Sequence, residues 1–202
     1  MGFQEKRTPF LLKVDFEKAF DSLDWKFLDN IMNQMGFSSK WRMWINGCHK
    51  LASGSVNVNR SPTKEFKNQK GLRQGDPLSP FLFIIAVEAL HIALEEAKFK
   101  HIFEGVKVGS IKVDISHLRF ADDTLILGKW SIDNAKNLCR ILRCFNLASG
   151  LKVNFSKSEL FGVGVSTSET NNLAYFLNCQ PSKLPCSYIG LLIGANMNVT
   201  SN

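Results

Sequence analysis

Two adjacent carboxylates between short apolar runs constrain this chain more than any other feature. Residues Arg119 to Leu127 read RFADDTLIL, with Asp122 and Asp123 side by side. Neighbouring anions repel, and a strand-like setting offers them little water. Taking an unpaired carboxylate out of water costs several kcal/mol. Two readings stand at this point. The pair is a turn, where Asp bonds nearby backbone, or it serves hard divalent cations, which take oxygen ligands and need few carboxylates when phosphates supply the rest.

Composition narrows the setting. With 45% hydrophobic and 21% charged residues the 202-residue chain reads as globular, of one or two domains, and long enough to bury a core. The net charge of +7 suits a polyanionic partner without requiring one. Five cysteines, an odd number with no CxxC pair, argue against a disulfide framework or a structural zinc and for a reducing compartment. The four histidines show no HxxxH or His/Cys spacing, so the sequence proposes no histidine metal site. The longest apolar run, Phe81 to Val87, is too short to span a bilayer, and the N-terminus carries no secretory signal pattern. A soluble, intracellular protein without membrane association is expected.

The order of elements places the carboxylates. FLLKVDF, Phe10 to Phe16, predicts a buried strand with Asp15 near its end. A helix follows through Trp25, Leu28 and Met32, with an Asp/Ser cluster to cap its start and Gly36 its end. A second helix sets Trp41, Trp44, Ile45 and Cys48 on one face, which reads as core. SGSVNVNRSPTKEF predicts a hairpin turning at Arg60 to Pro62, and KGLRQGDPLSP a loop. A deeply buried helix runs from Ser79 and Pro80 to Ala97. Further strands lead to the DD pair, which falls at or near a hairpin tip. A helix capped by Ser131 runs to Gly150. LKVNF and SELFGVG predict strands, Ser166 with Glu169 a capping box, and YIGLLIG a closing strand. The pattern is α+β, an antiparallel sheet with helices on one face.

DFEKAFD (15–21), GLRQGDPLSP (71–80), FADD (120–123), GLKVNFSKSE (150–159) and YIGLLIG (188–194) occur in this order. Together they resemble the palm motifs and primer grip of the reverse transcriptase domain of LINE-type (non-LTR) retrotransposons, plant-like in flavour. More distantly the chain resembles group II intron reverse transcriptases. At the grip the family usually has Pro where this chain has Leu192. The resemblance covers residues 1–202 as a partial reverse transcriptase domain. It implies a polymerase palm, a ferredoxin-like antiparallel sheet with helices packed on one face, with part of the fingers and no thumb. It also implies a nuclear location.

The same resemblance assigns roles. Asp15, Asp122 and Asp123 are the expected catalytic carboxylates, and with the Phe16 carbonyl they are expected to hold two Mg²⁺ ions, for which Mn²⁺ can substitute. Phe20 is expected to underlie the incoming sugar and exclude a 2′-hydroxyl, with a core Phe at a helix start as the plainer reading. Gln74 and Gly75 are expected against the nascent base pair, Gly75 by close backbone approach. Arg73 reads equally as a phosphate contact and as a solvated side chain. Lys157, with Lys152 as a competitor, is expected near the leaving pyrophosphate. The implied partners are an RNA template, a DNA primer and deoxynucleoside triphosphates, with fingers and thumb segments needed for full activity. The function expected is RNA-directed DNA synthesis by two-metal nucleotidyl transfer. The alternative is an inactive retroelement remnant with weak nucleic-acid binding, and a nucleotide cyclase lacks its expected GGDEF-like turn.

Overall fold

A computed structural model describes residues 8–51, 53–109, 111–120 and 123–194. From the N-terminus the elements are β1 (Pro9–Val14), β2 (Phe16–Glu17), α1 (Ala19–Ser22), α2 (Trp25–Gln34) and α3 (Ser39–Leu51). The strands β3 (Ser53–Gly54), β4 (Asn57–Val58), β5 (Ser61–Pro62) and β6 (Phe66–Lys67) precede α4 (Ser79–Phe99). Next come β7 (Val106–Val108), β8 (Val113–Ile115), β9 (His117–Phe120), β10 (Asp123–Lys129) and α5 (Ile132–Ser149). The chain closes with β11 (Lys152–Val153), β12 (Glu159–Gly162), α6 (Thr167–Leu177), β13 (Gln180–Ser182), β14 (Cys186–Tyr188) and β15 (Leu191–Ile193). Two compact units result. The first takes Met1–Phe16, His91–Arg143 and Val153–Asn202, the second Glu17–Leu90 and Cys144–Lys152.

The first unit is built on a five-stranded sheet in the order β13-β12-β1-β10-β9. β1 is central because PFLLKV is apolar on both faces, leaving Phe10, Leu11, Leu12 and Val14 all buried. It pairs antiparallel with β10, Leu11 opposite Leu127, and with β12, Leu11 opposite Phe161. Only β13 joins in parallel, on β12. Strand alternation sends Leu11, Leu125 and Phe161 to one face, where they pack against Cys186 and Tyr188. The β14–β15 hairpin therefore covers that face. α5 and α6 lie on the other. A Cβ at Gly128 would fall 2.4 Å from the Phe10 ring and 3.1 Å from Asn134 Nδ2, and one at Gly162 would fall 2.4 Å from Thr170 Oγ1. Helices thus cover one face, as the pattern predicts, and a hairpin takes the second.

In the second unit α2 is capped as the sequence predicts. The Asp24 carboxylate accepts from Phe27 N at 2.9 Å, and Gly36 follows the C-cap with φ +83°. Leu28, Ile31 and Met32 face its core. α3 differs from expectation. Ile45 is buried, but Trp41, Trp44 and Cys48 are exposed, with Lys40 over the Trp44 ring at 5.2 Å. The α2–α3 contact is made by Asp29, which accepts from Arg42 Nη1 at 3.1 Å and Asn46 Nδ2 at 2.9 Å. That contact turns the tryptophan face to water. α4 is likewise not buried all round. Leu82, Phe83, Ala86, Val87 and Leu90 are inside, but Phe81 and Ile84 lie on the opposite side of the helix and are exposed.

Two strand expectations also change. The 53–67 hairpin forms, but it turns on Asn59 and Arg60, both at positive φ. YIGLLIG is not one strand. Ile189 and Gly190, at φ +53° and +74°, reverse the chain so that Tyr188 pairs with Leu191.

Candidate active site

The site grows from the β1–β10 ladder. The last pair of that ladder is Val14 with Thr124. Asp15 follows Val14 directly and Asp123 precedes Thr124 directly, so both carboxylates leave the same end of the same pair of strands. β9 pairs Phe120 with Asp123, the two described ends of the FADD segment, at the end of the antiparallel β9–β10 pair. Asp122 lies outside the described residues. Asp15 and Asp123 are both exposed. The desolvation penalty expected for a buried pair is therefore not incurred at Asp123, because the first residue of β10 projects beyond the covered part of the sheet.

Asp15 is held through its backbone by the fourth motif. Its N–H donates to Ser158 Oγ at 3.1 Å, and its carbonyl accepts from Asn154 N at 2.7 Å. The Ser158 hydroxyl, fully buried, donates to the Asn154 carbonyl at 2.9 Å. The turn 154–158 thus grips the two peptide units that flank the Asp15 Cα and fixes where its side chain starts. Lys157 is exposed on that turn and makes no side-chain hydrogen bond among the described residues. Asp123 has its own clamp: Tyr188 Oη donates to the Asp123 carbonyl at 3.4 Å. Burial, with Asp123 nearby, pushes the Tyr188 phenol up, so it keeps its proton as a donor. Lys13 Nζ reaches Ser187 O at 3.2 Å, tying β1 to the same hairpin. Phe16 is half-buried and opens β2.

Within the second unit the later part of the first motif meets the 71–80 loop. Gly71 N donates to Leu23 O at 2.8 Å and Leu72 N to Phe20 O at 2.6 Å, while Trp25 Nε1 donates to Gly71 O at 2.6 Å. Gly71 is obligatory, since at φ +86° a Cβ would fall 2.5 Å from Asp21 O. Gln74 Nε2 reaches Asp21 Oδ1 at 3.3 Å. Gly75 sits at φ +84° with open space around it. Arg73 is exposed, its carbonyl accepting from Ser79 Oγ at 2.6 Å. A cleft of about 470 Å³ is lined by Asp21, Lys70, Arg73 and Gln74. Phe20 is half-buried and stacks on Phe83 at 5.0 Å. Lys152, the competitor of Lys157, is paired with Glu17 at 3.1 Å.

Asp15 and Asp123 are thus set at one ladder end, and Phe20, Gln74 and Arg73 belong to the second unit. Sequence reasoning missed Ser158, Asn154 and Tyr188. All three lie inside motifs already singled out, but a serine in NFSKSE gives no sign that its hydroxyl accepts from a backbone N–H 143 residues away.

The chain is similar to several known proteins. It is 27% identical over 164 residues to the Retrovirus-related Pol polyprotein from type-1 retrotransposable element R2 of Popillia japonica, covering 81% of this chain and 22% of that protein. It is 35% identical over 107 residues to a mitochondrial protein of Arabidopsis thaliana, covering 53% of this chain and 87% of that one. The fold is similar to the apo telomerase of Candida tropicalis, with a TM-score of 0.57 at 16% identity, over 79% of this chain and 32% of that one. The chain therefore spans about a fifth of the R2 polyprotein it matches. The family model for reverse transcriptase (RNA-dependent DNA polymerase) matches residues 2–193. With nearly its whole length matched, the chain belongs to the reverse transcriptase family.

Proposed function

We propose that residues 1–202 form the palm, with part of the fingers, of a non-LTR retrotransposon reverse transcriptase, and that Asp15, Asp122 and Asp123 are its catalytic carboxylates. The observation that carries this reading is the shared ladder end from which Asp15 and Asp123 project in a chain of this family. The donor set suits the divalent ions such enzymes use: exposed carboxylates are hard oxygen ligands with room for substrate oxygens beside them. Asp15, Asp123 and Asp122, with the Phe16 carbonyl, would hold two Mg²⁺. When bound, such ions lower the pKa of an attacking hydroxyl and offset charge on the leaving pyrophosphate.

The chain's own residues supply position. Ser158 and Asn154 set Asp15, and Tyr188 sets Asp123, each through the backbone. Phe20 stacks on Phe83, and in this reading its flat ring admits hydrogen at the sugar 2′ position and excludes hydroxyl. Gln74 and Gly75 line the base pair, Arg73 a phosphate, and Lys157 delivers a proton to the pyrophosphate. The substrates are deoxynucleoside triphosphates, a DNA primer and an RNA template.

The test is primer extension on an RNA template with Mg²⁺ or Mn²⁺, by this chain alone and joined to fingers and thumb segments of a relative. Asp15→Asn or Asp123→Asn is expected to lower the rate by about 10²-fold or more, the scale for losing one group that stabilises transition-state charge. Phe20→Val is expected to admit ribonucleotides. Extension undiminished in both Asp variants ends this assignment of the site.

A further inference from the structure

A second cluster of ligand-type side chains lies in the first unit, apart from the carboxylate end of the sheet. His91 and Glu95 are one turn apart on α4, and His117 opens β9. One ligand atom from each lies within 4.8 Å of the others. His91 Nδ1 faces His117 Nε2 at 2.9 Å. The histidines are half-buried and Glu95 is exposed, so the cluster opens to solvent on its carboxylate side. His117 is three residues from Phe120 along β9, roughly 10 Å at the rise of a strand.

The hydrogen bonds around the cluster set the imidazole tautomer. The Ser116 hydroxyl, buried, has one proton and gives it to Glu95 Oε1 at 3.0 Å. It therefore accepts from His117 Nδ1 at 2.8 Å. His117 Nε2 is left with a lone pair aimed at His91. A ring nitrogen fixed by a buried hydroxyl while the other faces a convergent site is the outer-shell arrangement that metal-ligating histidines use.

We infer that His91, Glu95 and His117 form a binding site for a zinc-class divalent ion, held by two imidazole nitrogens and one carboxylate. The ligand set is borderline-soft, which favours late first-row ions over Mg²⁺. Three protein ligands leave a fourth position for solvent. Two nitrogens at 2.0–2.1 Å from a tetrahedral ion stand roughly 3.3 Å apart, so the rings need to separate by only a few tenths of an ångström. His91 takes the tautomer with its proton on Nε2. Lys98 is the competitor: its Nζ lies 3.0 and 3.2 Å from the two Glu95 oxygens, a cation already seated where part of the ion's charge would go. Arg119, further along β9, adds positive charge to the region. A bound ion would clip α4 to β9, the strand that ends at Phe120 and pairs with Asp123.

The experiment is titration of the full chain with Co²⁺, read by visible absorption, followed by displacement with Zn²⁺. One equivalent is expected to give d–d bands of a low-coordinate nitrogen/oxygen site, without the near-ultraviolet band of cobalt–thiolate binding. His91→Gln, His117→Gln and Glu95→Gln are each expected to weaken uptake at least 100-fold, and Ser116→Ala 10–100-fold. Lys98→Met is expected to tighten it, and Asp15→Asn with Asp123→Asn to leave it unchanged. Circular dichroism checks each fold. If His117→Gln unfolds, His91→Gln and Glu95→Gln, on the helix surface, decide alone. Absence of a one-to-one band in the parent chain, a thiolate band, or uptake unaffected by the His91 and Glu95 variants overturns the site.

Discussion

Ser158 does more for the carboxylates than its position in a lysine-bearing turn suggests. Its hydroxyl is the acceptor for the Asp15 N–H and the donor to Asn154 O, and it is fully buried. Ser158→Ala leaves a backbone N–H without its partner inside the protein, an error worth about 1–3 kcal/mol. Urea unfolding should show that loss, and primer extension should fall with it, because Asp15 loses its anchor and not its charge. The cysteines give a second test at this scale. Burial pushes the Cys179 thiol up from 9.0 to about 12. A thiol whose folded pKa is raised stabilises the fold fully below its unfolded value, and that contribution is lost as pH climbs from about 9 toward 12. A thiol reagent at neutral pH should label exposed Cys48 and Cys144 quickly and buried Cys179 only on unfolding. Equal labelling rates would contradict the packing around α6.

At the scale of elements, the loop before α4 is held by glycine for two separable reasons. Gly71→Ala combines left-handed strain of about 1–2 kcal/mol with a Cβ 2.5 Å from Asp21 O. Gly75→Ala meets nothing within 4 Å and carries the strain alone. Thermal melts should therefore rank Gly71→Ala well below Gly75→Ala. A smaller loss in Gly71→Ala would mean the loop yields. α6 offers a cleaner number. Ser166 Oγ accepts from Glu169 N at 3.2 Å and Glu169 Oε2 accepts from Ser166 N at 3.0 Å, the reciprocal box its sequence predicts. Ser166→Ala should lower stability by about 1 kcal/mol in denaturant titration. Where element expectations failed, the cause was specific. An unbroken apolar run such as YIGLLIG does not report a chain reversal, and the reversal rests on Ile189 adopting a conformation that β-branched residues rarely take. Helical spacing grouped Trp41 and Trp44 with Ile45, but periodicity names no partner face.

For the whole molecule, the net charge of +7 predicts nucleic-acid binding that weakens steeply with salt. Fluorescence anisotropy with an RNA–DNA duplex should give a linear fall of log affinity with log salt, and a flat response would exclude backbone charge as its source. Among the described residues no helix is long and apolar enough to cross a membrane. The sequence by itself determined the order of the motifs, the strand that leads directly to Asp15, the strand pair that carries Asp123 and the caps of α2 and α6. These are local matters: short-range periodicity, cap chemistry and turn composition are written in neighbouring residues. Only the tertiary structure decided what grips the carboxylates and what covers the second face of the sheet, and it alone brought His117 to His91 and Glu95. Each of those depends on contacts between segments far apart in the chain, made by side chains whose types are common everywhere. A buried serine hydroxyl or a pair of facing imidazoles acquires meaning only from the register of strands and the face a helix presents, and no local pattern encodes either.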